Sequence, residues 1–156
     1  MKIATFNINN INRRLPNLLR WLAVAKPDIA CLQELKAESR AFPIAAMEDA
    51  GYHAVWQGQR TWNGVAILSR QEPVVIRRAL PGDKTDEQSR YIEAAIGGIV
   101  VGCIYLPNGN PQPGPKFDYK LAWFDRLIRH ARTGHVGRRQ ADVAIRYSGR
   151  VSRRTF

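Results

Sequence analysis

Cysteine is scarce: Cys31 and Cys103 are the only two in a chain of 156 residues. Both lie in apolar, strand-like runs, far from another Cys or a cluster of His, so zinc-finger spacing is absent and both read as buried, reduced thiols. Long hydrophobic runs are also missing. No apolar stretch reaches the roughly 18 residues of a membrane span, and no apolar signal segment follows Met1-Lys2-Ile3-Ala4-Thr5-Phe6. The expectation is a cytoplasmic protein with no membrane partner and no obligate protein partner. Internal repeats are lacking too. Acidic residues are few, 13 against 24 Lys plus Arg, for a net charge of +11 and a pI near 10.4. Such an imbalance points to a polyanionic partner, nucleic acid first. With 45% hydrophobic and 24% charged residues, the chain fits one globular domain and excludes extended disorder.

The positive charge is unevenly spread. Residues 1–131 hold 17 basic and 12 acidic side chains, whereas residues 132–156 hold 7 basic and 1 acidic, so the last 25 residues carry more than half the net charge. All their cations are Arg, and they contain no Lys, Pro, Leu or Trp. Val136, Val143, Ile145 and Val151 match neither helical nor strand spacing. Two explanations compete for this Arg-rich tail: a basic nucleic-acid-binding arm, or a frameshifted read with no designed fold.

Upstream, residues 2–7 alternate like a strand, and residues 13–25 place Leu15, Leu18, Leu19 and Leu22 at helical spacing. Lys26-Pro27-Asp28 breaks that helix, and residues 29–34 form an apolar run that ends abruptly in Glu34. Further strands are expected at 54–58, 64–69, 74–78, 91–96 and 99–105, with Gly97-Gly98 as a hairpin turn between the last two. Four prolines in residues 106–115 exclude helix and central strand, leaving a long fixed loop. Residues 116–130 then form an amphipathic helix with Leu121, Phe124, Leu127 and Ile128 on its inner face and Arg126 and Arg129 outside.

Polar groups gather at the strand ends: Asn7 and Asn9 after the first, Glu34 after the second, Tyr105 and Asn108 after the last. A carboxylate at the end of a buried strand, beside an amide able to orient it, suits a hard cation, since Mg²⁺ takes about one or two carboxylates and keeps several waters. A solvated strand-end Glu is the alternative. The order of the strings then narrows the field: Thr5-Phe6-Asn7-Ile8-Asn9, the segment Pro27-Asp28-Ile29-Ala30-Cys31-Leu32-Gln33-Glu34-Leu35-Lys36, Asn63-Gly64-Val65-Ala66-Ile67, Arg90-Tyr91-Ile92-Glu93-Ala94, and Tyr105-Leu106-Pro107-Asn108-Gly109 followed by Lys116-Phe117-Asp118-Tyr119-Lys120. From Met1 to about Ala131 this resembles the exodeoxyribonuclease III family of DNA repair nucleases.

The resemblance implies an α/β (α+β) fold, the N-terminal half of a four-layer αββα sandwich like that of deoxyribonuclease I, over residues 1–131. It implies Glu34 as the metal carboxylate and Asn7 as its companion, with Mg²⁺ as cofactor and Mn²⁺ as a substitute. Lys36 and Arg90 would lie near the DNA backbone, Tyr105 would approach the scissile phosphate, and Asn108 would donate to a phosphate oxygen. The partners would be double-stranded and abasic DNA. Trp56 and Trp62 fall beside these loops and are assigned to core packing. Family members complete the site with a G-D-x-N segment after the helix and an S-D-H segment near the C-terminus; neither string occurs here, and Asp142 does not substitute. The chain is therefore expected to be truncated and inactive, with the inner face of its first sheet, including Ile29, Val65, Ile67, Ile92 and Ile104, left uncovered. Three readings stay open: a 3′ to 5′ exonuclease and abasic-site endonuclease by ancestry, a basic DNA-binding protein without catalysis, and a phosphoesterase acting on a small molecule.

Overall fold

The structure, a computed structural model, describes residues 1–134 and 141–146. Strand β1 (Ile3–Asn7) leads to helix α1 (Leu15–Ala25), whose Pro16 sits in the first turn, where a missing N–H costs nothing. The helix stops at Lys26, which turns left-handed (φ 44°) while its N–H still reaches Leu22 O at 2.9 Å. Pro27 prevents further continuation. Strand β2 (Ile29–Gln33) follows, then a 3-10 turn at Ser39–Ala41, a short helix α2 (Ile44–Asp49), and strands β3 (His53–Gln57) and β4 (Val65–Ser69). These strands form one sheet in the order β1-β2-β4-β3, with β1 parallel to β2 and the other pairs antiparallel. Strands β5 (Val74–Arg77), β6 (Tyr91–Ile96), β7 (Ile99–Tyr105) and β8 (Ala141–Arg146) form the second sheet in chain order, while helix α3 (Pro115–Gly134) links β7 to its parallel neighbour β8.

Three apolar clusters glue four layers together. Leu18 and Leu22 of α1 and Met47 of α2 pack on Ala30, Leu32, Ala66 and Leu68, the outer face of the first sheet. Ile29, Cys31, Val65 and Ile67 face Ile92, Ala94, Val101 and Cys103 across the two sheets. Tyr91, Ile104 and Leu106 meet Trp123 of α3 on the far side. The strands obey period-two alternation: the paired residues Ile92 and Cys103 face inward, and the paired Tyr91 and Ile104 face α3. Cys31 and Cys103 are both buried and free, as read from the sequence. Among the described residues no helix is long and apolar enough to cross a membrane.

Two expectations need correction, and two further features were not read from the sequence. The inner face of the first sheet is not bare: Ile29, Val65 and Ile67 are at most 1% exposed, because residues 74–105 already supply three strands of an opposing sheet. Ile104 belongs to the other side, under α3. Next, α3 is turned differently than its leucines suggest. Leu121 and Ile128 are 49% and 46% exposed, whereas Trp123 and Arg126 are 1% and 5% exposed. The buried face carries carboxylates of the sheet and of the segment leading into it, and these draw in polar partners. His130 Nε2 lies 2.9 Å from Glu93 Oε2, which also accepts from the Tyr91 hydroxyl at 2.9 Å and pairs with Arg77 at 3.0 Å. Third, α2 and the turn before it were not foreseen, since six residues are too few for a helical period to show. Finally, regular structure continues past residue 131, in α3 to Gly134 and in β8, whose register pairs Val100 with Ala141 and Tyr105 with Arg146. The rest of the Arg-rich tail lies outside the described residues.

The orientation of α3 can be checked by chemical denaturation. Trp123→Ala should cost about 3–5 kcal/mol, as for other large-to-small changes in a core, and Leu121→Ala should stay within about 0.5 kcal/mol of the parent. Equal effects of the two would mean the helix packs on its apolar face instead.

Candidate active site

Parallel pairing of β1 with β2 sets Asn7 opposite Gln33, and the ladder continues beyond the strands through Ile8 N to Gln33 O (3.0 Å) and Asn10 N to Glu34 O (2.8 Å). Glu34 therefore emerges beside Asn7 at the end of the sheet. The backbone here is contorted. Of seven non-glycine residues with left-handed φ among the described residues, six (Asn9, Asn10, Glu34, Lys36, Thr61 and Asn63) lie in the loops around Glu34. Asn tolerates that conformation, but Glu and Lys adopt it only when surroundings hold them there. The surroundings include Lys36 N to Asn63 O at 3.0 Å and Leu35 N to Gly64 O at 3.2 Å. Gly64 (φ 88°) is obligatory, because a Cβ there would stand 2.7 Å from Leu35 Cβ.

The Glu34 carboxylate is clamped from three sides. Oε1 accepts from Asn7 Nδ2 at 2.8 Å and from the Tyr105 hydroxyl at 2.9 Å, while Oε2 faces Lys36 Nζ at 3.1 Å. Lys36 Nζ also donates to Asn9 Oδ1 at 2.6 Å. Burial raises the carboxyl's pKa, but the Asn7 amide, the Lys36 ammonium and the Tyr105 phenol together outweigh it and hold Glu34 below its ordinary value. Tyr105 comes from the second sheet, so the site spans both. Behind it, Arg90 Cζ lies 4.9 Å from the Tyr105 ring centroid, and Arg90 Nη1 donates to Leu106 O at 3.2 Å. Burial draws the Arg90 guanidinium below its usual pKa, with Tyr119, Tyr105 and Asp86 opposing.

Five of the six residues singled out from the sequence thus meet: Asn7, Glu34, Lys36, Tyr105 and, through Tyr105, Arg90. Asn108 stands apart. It is exposed in the loop after β7, and its side-chain oxygen accepts the Asn110 N–H at 3.2 Å rather than joining the Glu34 cluster. Trp62 was misassigned to the core: it is 66% exposed, with Lys36 Nζ 5.5 Å from its ring centroid. Its place in a turn, just before Asn63-Gly64, is the sequence signal that could have told it from a strand aromatic. Trp56 packs as expected, stacked on Phe42 at 4.4 Å. Among the described residues no group of three or more His, Cys, Asp and Glu side chains is arranged to hold a metal ion. The strand after α3, Ala141–Arg146, occupies the place anticipated for the G-D-x-N segment but lacks that string.

Residues 4–141 match the model of the endonuclease/exonuclease/phosphatase family. Exodeoxyribonuclease III of Haemophilus influenzae is 36% identical over 140 residues, covering 86% of this chain and 52% of that protein. A Neisseria enzyme, described as a 3′ phosphatase bound to a product DNA hairpin, superposes with a TM-score of 0.85 at 43% identity, over 88% of this chain and 54% of that one. An AP endonuclease from Archaeoglobus fulgidus gives 0.81 at 44% identity, over 85% and 51%. The chain spans about half the length of the relatives it matches.

The lowered pKa of Glu34 sets a pH signature. A carboxyl whose folded pKa lies below its unfolded value of 4.5 contributes stability above that value and loses it as the pH falls through the folded pKa. Parent and Glu34→Gln proteins should therefore differ most in unfolding free energy at about neutral pH and converge in acid below the ordinary carboxylate range. A gap that stays constant on acidification would show that Glu34 is not held ionised.

Proposed function

Since this chain belongs to the endonuclease/exonuclease/phosphatase family, we propose that it descends from exodeoxyribonuclease III-like DNA repair nucleases and binds duplex and abasic DNA through the Glu34 site. The observation that carries this reading is one ionised carboxylate, clamped by Asn7, Tyr105 and Lys36 where the two sheets end, with Arg90 behind the phenol and Trp62 exposed beside it.

The donor set suits a hydrated Mg²⁺, or Mn²⁺ in its place. Glu34 would supply a charged oxygen and Asn7 its amide oxygen, which also accepts the Asn9 N–H at 3.1 Å. The ammonium of Lys36 beside Oε2 shows that this oxygen already faces a cation. When bound, such an ion stabilises charge building on a phosphate oxygen. Lys36 and Arg90 neutralise backbone phosphate, the Tyr105 hydroxyl orients Glu34 and reaches the phosphate, and the exposed Asn108 amide donates to a phosphate oxygen. Water activation is a different matter. Neither G-D-x-N nor S-D-H occurs in these 156 residues, so turnover by these residues alone is weak or absent. These residues by themselves are suited to retain DNA rather than to cleave it.

An abasic duplex, a duplex ending in a 3′ phosphate and a small phosphomonoester, each incubated with Mg²⁺, should all remain uncleaved above background. Cleavage of the duplexes that Glu34→Gln abolishes would overturn the inactivity while upholding the ancestry. Binding should weaken with salt along a slope of about −0.9 in log K per log salt for each phosphate neutralised. Lys36→Ala and Arg90→Ala should each reduce that slope by about one contact. Unchanged slopes would move the DNA surface away from this site.

A further inference from the structure

The segment entering β6 contains Asp86, Gln88 and Arg90 on alternate positions, and each has a partner. Asp86 is bound by α3: the Tyr119 hydroxyl donates to its two carboxylate oxygens at 3.0 and 3.1 Å, and Arg126 Nη2 donates to Oδ2. Arg126 itself is buried, 5% exposed, and its methylenes support Gly82, where a Cβ would stand 3.2 Å from Arg126 Cγ and Cδ. Asp86 Oδ1 also accepts the Gln88 N–H at 3.2 Å. The side-chain oxygen of Gln88 then accepts Arg90 Nε–H at 2.7 Å. Arg90 O accepts the Tyr105 N–H at 2.9 Å, and Arg90 lies against the Tyr105 ring. The Tyr105 hydroxyl ends the series on Glu34.

We infer that Asp86, held by Tyr119 and Arg126 of α3, is a positioning residue that fixes Gln88 and, through it, the guanidinium of Arg90 against Tyr105 at the Glu34 site. The inference rests on the proposed DNA-binding reading only for what Arg90 does there. A guanidinium on a flexible stem loses rotamer freedom when it is fixed. Gln88 holds Nε, and the carbonyls of Tyr105 and Leu106 hold Nη1, so the plane of Arg90 is set before any ligand arrives. Gln88 is uncharged and partly exposed; its side-chain oxygen also accepts from Asn63 Nδ2 at 3.5 Å, and the carboxylate one alternate position back anchors its backbone. Asp86 is in turn held, because the buried Arg126 needs a charge partner and its other carboxylate, Asp83, stands off at 4.0 Å. The ion pair thus stabilises the helix and also transmits the position of α3 to the site.

Two measurements separate positioning from plain stabilisation. The first is hydrogen exchange of the Arg90 Nε–H by NMR, its resonance assigned through Gln88→Ala. It should be protected in the parent and exchange about tenfold faster in Asp86→Asn, within the coupling range of contacting residues. A cavity variant in the opposite outer layer, Leu22→Ala, should leave it unchanged. Tyr119→Phe keeps the ion pair and the fold while removing one donor to Asp86, and should give a smaller change in the same direction. Unaltered protection in both Asp86→Asn and Tyr119→Phe overturns the inference. The second is affinity for duplex DNA with chelator present, in a double-mutant cycle. Asp86→Asn should weaken binding about as much as Arg90→Ala, and the combination no further. Additive losses overturn the inference. Faster exchange with DNA affinity untouched by either variant upholds the positioning and overturns the placement of Arg90 on DNA.

Discussion

The packing of β2 against β7 is the constraint on which the site depends. Cys103 Sγ lies 3.3 Å from Leu32 O and 3.6 Å from Gln33 Nε2, so the two strands meet in a fixed register across the inter-sheet core. Two residues beyond Cys103 is Tyr105, and one beyond Gln33 is Glu34. Their hydrogen bond follows from that register. Gln33 is 0% exposed, and its amide also bonds Thr5 Oγ1 of β1 at 2.9 Å, bringing the third contributing strand into the same arrangement. A buried amide that donates to acceptors on three strands, Thr5 Oγ1, Cys31 O and Cys103 Sγ, tolerates little sliding, because each bond lost leaves a polar group unpaired at a cost of about 1–3 kcal/mol. Small apolar thiols at 31 and 103 let the sheets approach closely there.

The second determinant is electrostatic. A single carboxylate faces Lys36, with Arg90 behind Tyr105, on a chain of net charge +11. Half-buried charges interact more strongly than exposed ones, since water screens them less. The left-handed residues round Glu34 are the conformational cost of this arrangement. They aim Glu34 and Lys36 at one another from positions two apart, where regular strand geometry would have set both on one face without contact.

Much of this was legible in the sequence, for physical reasons that also explain the misses. Strand positions followed from period two and from the Gly97-Gly98 turn, and β6 and β7 fell where alternation put them. Glu34 was conspicuous as a charge ending a buried run. Helix α3 misled because two polar residues share its buried face with Trp123: Arg126 and His130 are drawn inward by Asp86 and Glu93, acceptors 40 and 37 residues earlier in the chain. Hydrophobic periodicity does not register ion pairs across such separations. The covering of the first sheet was missed for a related reason. Family resemblance placed the second sheet mostly beyond residue 131, while the apolar runs at 91–96 and 99–105 already demanded a partner face.

The same clamp that organises the site also limits its chemistry. A group that accepts a proton in the transition state works best with a pKa near the working pH, and the bonds to Glu34 push its pKa the other way. Glu34 is therefore suited to hold positive charge and unsuited to take a proton from water. The Tyr105 hydroxyl hydrogen bond is spent on Glu34, Lys36 is paired with the same carboxylate, and Asn7 has no titratable group. What is assembled where the two sheets meet holds one carboxylate in place between hydrogen-bond donors and an ammonium. Proton removal from water would have to come from a further group, and the strand that follows α3 lacks the sequence expected to bring one.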